Sequence, residues 1–215
     1  TAGKPTVAVR VPNHPIALQL LKSLNFPLAA PSANPFGSLS PTSAEHVALY
    51  FKEEINFILD GGPCFCGLES TIIGFENDKP ILYRHGAISI EEIEKIIGPI
   101  KIKNKNSKNP SAPGMLTRHY APKTQIQIND DISLALAQNP DKKIGVLSFR
   151  KNKKIKTEIH QEVLSISGDL NEASKNLYAA LHRLDQMNLD LIISSFFPEK
   201  GLGKTINDRL KRAIK

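Results

Sequence analysis

The polar side chains best placed to do chemistry lie in the middle of the chain, in residues 112–122. Prolines near both ends and an early glycine indicate a loop, yet the segment also carries Arg118, His119 and Tyr120. A simple spacer is usually rich in glycine and serine or in repeated proline, and this segment is neither. Functional residues concentrate on loops, so the sequence predicts a lid that folds over a neighbouring site.

A second candidate is the uncharged turn at residues 29–41, which carries Ser32, Asn34 and Ser40. Small residues let a backbone approach a ligand closely, and hydroxyl groups with backbone amides near a helix start suit phosphate oxygens. The simpler interpretation is a proline-rich turn whose serine and asparagine side chains bond their own backbone. Composition alone favours that simpler interpretation.

A third candidate is the glycine-rich turn at residues 60–71, which brings Ser70 and Thr71 to the head of a predicted strand. Hydroxyl groups at strand ends are a common way to build a ligand crevice. Arg84 ends the next predicted strand, and its planar donors could bind a phosphate or a carboxylate. Taken alone, Arg84 is more typical of a surface ion pair.

Composition sets the broad class. The 215 residues are 40% hydrophobic, enough for one large domain or two smaller cores. No run of about 18 apolar residues and no leader pattern occurs, which favours the cytoplasm and no membrane partner. Cys64 and Cys66 are too close together for an ordinary disulfide and too few for a metal site, so we expect reduced thiols and no bound metal.

The charge is basic, with 28 Lys and Arg against 21 Asp and Glu and a net charge of +7. Such a balance favours anionic partners such as nucleotides or RNA. Much of the excess lies in lysine runs at residues 101–108 and 142–156, which are interleaved with asparagine rather than with base-stacking aromatic residues. That pattern is more typical of solvated loops than of a binding stripe.

Hydrophobic periodicity divides the elements that would position these residues into two units. In the first unit we predict strands at 7–11, 27–30, 57–59, 70–75 and 81–83. Helices are predicted at 15–24, from a Thr42 and Glu45 capping box, and from a Ser89 and Glu92 capping box. The unit is mixed α/β.

The second unit alternates regularly. Strands are predicted at 125–128, 143–149, 163–166 and 189–195, with helices at 132–138, from an Asp169 and Glu172 capping box to 187, and at 205–214. This alternation predicts a parallel sheet covered on both faces. No G-x-G-x-x-G follows any of the strands, so a nucleotide site of that type is not indicated.

Several motifs occur together in one order along the chain. They are Val9-Arg10-Val11-Pro12; Ala30-Pro31-Ser32-Ala33-Asn34; residues 40–47; Asp60-Gly61-Gly62-Pro63-Cys64; Gly67-Leu68-Glu69-Ser70-Thr71; Arg84-His85-Gly86; Pro113-Gly114-Met115; His119-Tyr120-Ala121-Pro122; Gly201-Leu202-Gly203; and Ile206-Asn207-Asp208-Arg209-Leu210. In this order they resemble the long form of the threonylcarbamoyl-AMP synthase family. Chance agreement over so many separate motifs is improbable, although each alone is weak.

The resemblance implies a partial YrdC-like mixed α/β domain at 1–102, an interdomain linker or lid at 103–122, and a small Rossmann-like parallel-sheet domain at 123–215. It implies an enzyme, a nucleotidyltransferase that forms threonylcarbamoyl-AMP and pyrophosphate from L-threonine, bicarbonate and ATP, with Mg²⁺ on the phosphates. The product would serve the N6-threonylcarbamoyl modification of adenosine 37 in tRNA, with tRNA or tRNA-modification proteins as further partners.

The resemblance also implies site residues. For ATP they are Thr6, Ser32, Asn34, Ser40, Arg84, Arg118, His119 and Tyr120. For L-threonine they are Arg10, Ala30 and Ser70. Arginine can pair with the carboxylate of an amino acid. No residue is expected to act as a covalent nucleophile, so catalysis would depend on positioning and charge neutralisation.

The chain departs from the family pattern in one important respect: the Lys-x-Arg motif of the family's N-terminal portion does not occur. We therefore expect that about 100 residues of the catalytic domain are missing upstream and that this piece is inactive alone. His85 and Phe36 also stand where the family usually has other residues. Two other functions remain open, a noncatalytic RNA-binding module and an interaction module of the tRNA-modification machinery.

Overall fold

The computed structural model describes residue 3, residues 7–103 and residues 120–214. These residues form a mixed α/β protein of two units, as the sequence predicts. Most of the predicted lid, including Arg118 and His119, lies outside the described residues, as does Thr6.

The first unit is a small three-stranded sheet with helices. Its elements are α1 (Pro15–Lys22), α2 (Ala44–Phe51) with a 3-10 turn (Lys52–Glu54), β1 (Ile72–Glu76), β2 (Lys79–Arg84), α3 (Ile90–Ile97) and β3 (Lys101–Ile102). Strand β2 is central, antiparallel to β1 and parallel to β3. The turn between β1 and β2 consists of Asn77 and Asp78 at positive φ, a conformation that these two residue types tolerate and that suits a tight hairpin.

Three predicted strands are wrong. Residues 7–11, 27–30 and 57–59 form no strand in the described part of the chain. Apolar side chains on them face outward, among them Val9 at 84% exposure and Phe57 at 93%. Alternating hydrophobicity marks an extended segment, but a strand also needs a partner for its backbone groups.

The helix starts agree in part with the predicted capping boxes. At α3 the box is confirmed, because Ser89 accepts from the Glu92 amide while the Glu92 carboxylate accepts from the Ser89 amide. At α2 the N-cap is Ser43 and not Thr42, since the Ser43 hydroxyl accepts from the His46 amide. The Thr42 amide instead donates to His46 Nδ1 at 3.1 Å.

The second unit is a parallel sheet. Its elements are β4 (Gln125–Ile128), α4 (Ile132–Ala137), β5 (Ile144–Ser148), β6 (His160–Val163), α5 (Leu170–Asp185), β7 (Leu191–Ser194) and α6 (Leu202–Ala213). The strand order is β4-β7-β5-β6, with every neighbouring pair parallel. Strand β6 begins earlier than predicted because its register with β5 starts at His160, and Ile166 is left exposed.

The α5 start also differs from its prediction. Asp169 caps the helix by accepting from the Glu172 amide at 2.7 Å. The Glu172 carboxylate, however, accepts from the Ser165 and Ser167 hydroxyls, and the Asp169 amide donates to Ser165 Oγ. In a capping box the Asp169 amide would donate to the Glu172 carboxylate. Here it donates to the hydroxyl of Ser165, in the preceding loop.

The main core lies between the sheet of the second unit and helices α5 and α6. Its fully buried members include Leu147, Leu177, Leu181, Ile192 and Ile206. The same cluster takes in Leu39 of the first unit and Tyr120 of the connector. A smaller cluster on the other face joins α4 to the sheet. Burial of these side chains stabilises both units together, because the core crosses from one to the other.

A pair of stacked histidines joins α2 to α5. The rings of His46 and His182 are 3.8 Å apart, and His182 Nε2 donates to the Ser40 carbonyl at 3.1 Å. His182 is 6% exposed. Burial, followed by the nearby His46, lowers the pKa of His182 to about 4, and burial also lowers the pKa of His46.

This contact predicts acid sensitivity. Between its ordinary pKa of 6.5 and about 4, the unfolded chain binds a proton at His182 and the folded chain does not. The free energy of unfolding must therefore fall as pH is lowered through that window, by about 3 kcal/mol for a shift of this size. Urea denaturation at pH 7, 6, 5 and 4 measures it. His182→Gln should lose much less stability over the same range, and an equal loss in the variant would contradict the assignment.

Candidate functional site

One cavity of about 480 Å³ gathers most of the residues predicted for ligands. The predicted residues that line it are Arg10, Ala30, Ser32, Ser40, Ser70, Arg84 and Tyr120. Its volume lies within the range of small-molecule sites. The structure thus brings together residues from five separate segments of the chain, although their roles toward a ligand stay predictions.

Strand pairing explains why Ser70 and Arg84 meet. Strand β1 begins two residues after Ser70, and its first residue, Ile72, pairs with Arg84 at the end of β2. The Arg84 guanidinium donates from Nε and Nη2 to the Ser70 carbonyl at 3.1 and 2.8 Å, and from Nη2 to the Ser70 hydroxyl at 3.3 Å. Ser70 Oγ accepts there, so its own proton can be donated into the cavity.

Arg84 supplies positive charge at the cavity wall. Burial lowers its pKa from the ordinary value, but an arginine side chain stays charged in proteins. Because Arg84 is held by Ser70, its guanidinium plane has a defined orientation. A fixed guanidinium suits a phosphate or carboxylate better than an exposed, disordered one.

Ser40 has the opposite hydrogen-bond polarity to Ser70. Its hydroxyl donates to Glu69 Oε1 at 2.5 Å, so toward the cavity it can only accept. Glu69 also lines the cavity. Burial alone would raise the pKa of Glu69, but the charge of Arg209 and the Ser40 hydroxyl outweigh it and the pKa is lowered. Glu69 is therefore a carboxylate that orients Ser40.

Arg10 and Ala30 lie on two segments that a hydrogen bond joins at the cavity. Arg10 Nη2 donates to the Ala30 carbonyl at 3.4 Å, and both residues are exposed along the cavity. The two arginines of the lining, Arg10 and Arg84, give it a basic character that only Glu69 among the described lining residues opposes. Glu69 is already paired with Arg209 at 3.0 Å, which leaves the cavity suited to an anion.

Asn34 is the predicted site residue that the described structure does not place in the cavity lining. Its Nδ2 donates to the carbonyls of Pro35 and Ser38 at 3.1 and 3.2 Å. The side chain thus bonds the backbone of its own turn through Nδ2, whereas its buried Oδ1 has no hydrogen-bond partner among the described residues, and its role toward ATP stays a prediction.

Tyr120 is a core residue as well as a wall of the cavity. It is 2% exposed, lies 5.8 Å from the Tyr178 ring, and has φ of +65°. The next residue, Ala121, donates its amide to the Gly37 carbonyl at 2.9 Å and bridges to Ser38. This end of the predicted lid is packed into the protein while Tyr120 also lines the cavity, and the lid itself stays a prediction.

Glu69 and Arg209 were missed as site residues. Both lie inside motifs that the sequence displays, but no local signal pairs residues 140 positions apart. Cys64 and Cys66 are free thiols at the surface. Partial desolvation of Cys64 by its surroundings, together with the neighbouring Cys66, raises the pKa of Cys64, which does not favour a reactive thiolate. The described residues contain no His, Cys, Asp and Glu cluster that could hold a metal ion.

Comparison with known families fits this architecture. A family model described as "Threonylcarbamoyl-AMP synthase, C-terminal domain" matches residues 88–214, more than half of the chain. The chain belongs to the threonylcarbamoyl-AMP synthase family. A second family model, described as "Telomere recombination", matches residues 1–86.

Curated threonylcarbamoyl-AMP synthases are similar over nearly the whole chain. The protein of Bacillus subtilis is 37% identical over 222 residues, and that of Pyrococcus abyssi is 38% identical over 227 residues. Each alignment covers 99% of this chain but only 64% and 65% of the respective relative. The chain thus spans a little less than two thirds of the length of these relatives.

A solved structure has the same fold. The crystal structure of P. abyssi Sua5 complexed with L-threonine matches with a TM-score of 0.88 and 38% identity, covering 99% of this chain and 65% of that one. The mixed α/β fold with a four-stranded parallel sheet is therefore confirmed. Within the described part of the chain, none of the helices combines the length and the apolar character that a membrane crossing requires.

The burial of Tyr120 generates a prediction. Tyr120→Ala should lower the free energy of unfolding by about 3 kcal/mol or more, because it empties a packed site between two units. Tyr120→Phe keeps the ring and should cost less than about 1.5 kcal/mol. Urea denaturation of both variants measures this. A near-native stability for Tyr120→Ala would show that the residue is a surface lid after all.

Proposed function

We propose that this chain carries out the ligand binding of an L-threonylcarbamoyladenylate synthase, which joins L-threonine, bicarbonate and ATP into threonylcarbamoyl-AMP and releases pyrophosphate. Membership of the family supports this proposal, as do relatives of that name at 37% and 38% identity. The product would serve the N6-threonylcarbamoyl modification of tRNA, and the place of action would be the cytoplasm.

The observation that carries the proposal is the shared cavity. Two arginines and three serines line one space of about 480 Å³. Such a space accommodates an adenylate or a small amino acid, and its basic lining favours anionic groups. Arg10, Ala30 and Ser70 would bind threonine. Ser32, Ser40, Arg84 and Tyr120 would bind ATP, with Thr6, Arg118 and His119 as further proposed contacts.

The reaction requires two new bonds. A C–N bond joins the threonine nitrogen to the bicarbonate carbon with loss of water, and an O–P bond joins the resulting carboxylate to the α-phosphorus with loss of pyrophosphate. Arg10 would neutralise the threonine carboxylate, and Arg84 would neutralise phosphate charge. We assign no covalent nucleophile. The contribution of the chain is to hold the reacting groups together in a fixed geometry.

Hydrogen-bond polarity assigns finer roles within this site. Ser40 presents only acceptor capacity, because its proton is committed to Glu69. It would therefore face an N–H or O–H group of a ligand, whereas Ser70 retains a proton for a ligand oxygen. Glu69, the carboxylate of the described lining, is engaged by Arg209, so the lining does not fit a magnesium site of its own. No step is assigned to a metal ion here, and Mg²⁺ would enter with ATP.

Arg10 provides a test of the proposal. Arg10→Ala should raise the Kd for L-threonine about tenfold while changing the Kd for ATP less than about twofold, since a charged hydrogen bond to the carboxylate is lost. Isothermal titration with each ligand measures both constants. Arg183→Ala, which removes an exposed arginine paired with Glu162, is the matched control. Equal effects on both ligands would contradict the carboxylate role, and no binding by the unsubstituted chain would contradict the proposed function.

RNA binding is a second candidate function, and one observation favours it. Lys142, Lys143, Lys154 and Lys156 line a common groove on the second unit. Grouped lysines attract phosphates without reading base sequence. The chain would then bind tRNA through the second unit.

Salt dependence tests the RNA candidate. Affinity for an unmodified tRNA should fall steeply between about 50 and 200 mM salt. Replacing the four lysines by glutamine should make the slope of log affinity against log salt concentration less steep by about 3.6. Filter binding at several salt concentrations measures the slope. A variant in which Lys22, Lys52, Lys79 and Lys95 of the first unit are replaced is the charge-matched control, and an equal change in that variant would rule out a specific groove.

A further inference from the structure

Arg209 of the second unit is buried behind the cavity. It lies on α6, is 1% exposed, and uses its three nitrogens on three different acceptors. Nε donates to Glu69 Oε2 at 3.0 Å, Nη1 to Asp208 Oδ2 at 2.7 Å, and Nη2 to the His85 carbonyl at 2.7 Å. Only a planar, forked cation can meet acceptors in three directions in this way.

A fourth contact involves an aromatic ring. The Arg209 guanidinium carbon lies 4.7 Å from the centre of the Tyr120 ring, within the range of a cation–π interaction. Glu69 and Tyr120 both line the cavity, and His85 directly follows Arg84, which also lines it. One side chain from the second unit therefore contacts three separate segments of the cavity wall.

Glu69 transmits this contact to the cavity. Its Oε2 accepts from Arg209 and from the Tyr178 hydroxyl, the latter at 3.3 Å, while its Oε1 accepts from the Ser40 hydroxyl. The carboxylate is thereby fixed on both oxygens. Because Ser40 donates to that carboxylate, the direction in which Ser40 presents its lone pairs depends on where Arg209 holds Glu69.

Arg209 does not itself line the cavity. We propose that Arg209 is a positioning residue for the ligand site: from the second unit it fixes Glu69, the Tyr120 ring and the His85 backbone, and through them Ser40 and Arg84. The inference rests on the function proposed above, and it assigns to the second unit a direct part in forming the site.

The test separates positioning from simple folding. Arg209→Lys keeps the charge, but a single ammonium group cannot replace the fork that joins Glu69, His85 and Asp208. We expect the Kd for ATP to rise about tenfold or more, because small displacements of site groups are costly. The number of binding sites per chain, measured in the same isothermal titration, should stay near that of the unsubstituted protein. Arg183→Lys, at the exposed pair with Glu162, is the control and should change neither quantity.

Glu69→Gln keeps the test decisive if Arg209→Lys folds poorly. It weakens the same contact from the other side and should also raise the Kd at unchanged site number. Where both variants fold, the combined variant should raise the Kd by less than the product of the two single effects, because both act on one contact.

Three results would overturn the inference. One is an unchanged Kd in Arg209→Lys, and another is a reduced number of sites with an unchanged Kd, which would make the residue purely structural. Failure of the unsubstituted chain to bind ATP or L-threonine would overturn the proposed function together with the inference, and so is distinguishable from the first two.

Discussion

The buried pair of Arg209 and Glu69 is the interaction on which the arrangement of the two units depends. A buried charge without its partner would be strongly unfavourable in either position. Separation of the two units would leave both Arg209 and Glu69 unpaired, so the pair opposes that separation. Other contacts act in the same direction. His182 donates to the Ser40 carbonyl, and Thr205 donates to the Gly86 carbonyl at 3.1 Å. The second unit therefore holds the cavity through the Glu69 carboxylate and through backbone carbonyls of the turns that form it.

The second unit was largely predictable because its elements are set by local patterns. Strands β4, β5 and β7 and helix α5 are continuous or amphipathic runs that need only burial to form. The first unit was less predictable for a physical reason. Residues 7–11 and 57–59 have the composition of strands, but their pairing depends on partners elsewhere, which no local rule specifies. The helix cap of α2 was predicted at Thr42 and lies at Ser43, because either of two neighbouring hydroxyl groups could cap the helix.

The candidate site divides in the same way. Hydroxyl-bearing turns and strand-end residues such as Ser40, Ser70 and Arg84 could be selected from residue type and position, and the cavity brings them together. Asn34 could not be separated from them, because an asparagine in a turn serves a ligand or its own backbone equally well. Glu69 and Arg209 could not be predicted as site residues, since a long-range ion pair leaves no periodic signal in one sequence.

The residues after Arg84 pack closely against the start of β1. A Cβ at Gly86 would lie 2.2 Å from the Thr71 amide nitrogen, so this position requires glycine.

The outward-facing apolar side chains of residues 7–11 and 57–59 have a consequence for handling the protein. Val9 is 84% exposed and Phe57 is 93% exposed, and apolar surface of this kind promotes association between copies of a chain. Because these segments belong to no strand in the described part of the chain, we expect aggregation at high concentration to begin there, whereas resistance to heating comes from the α5 and α6 core.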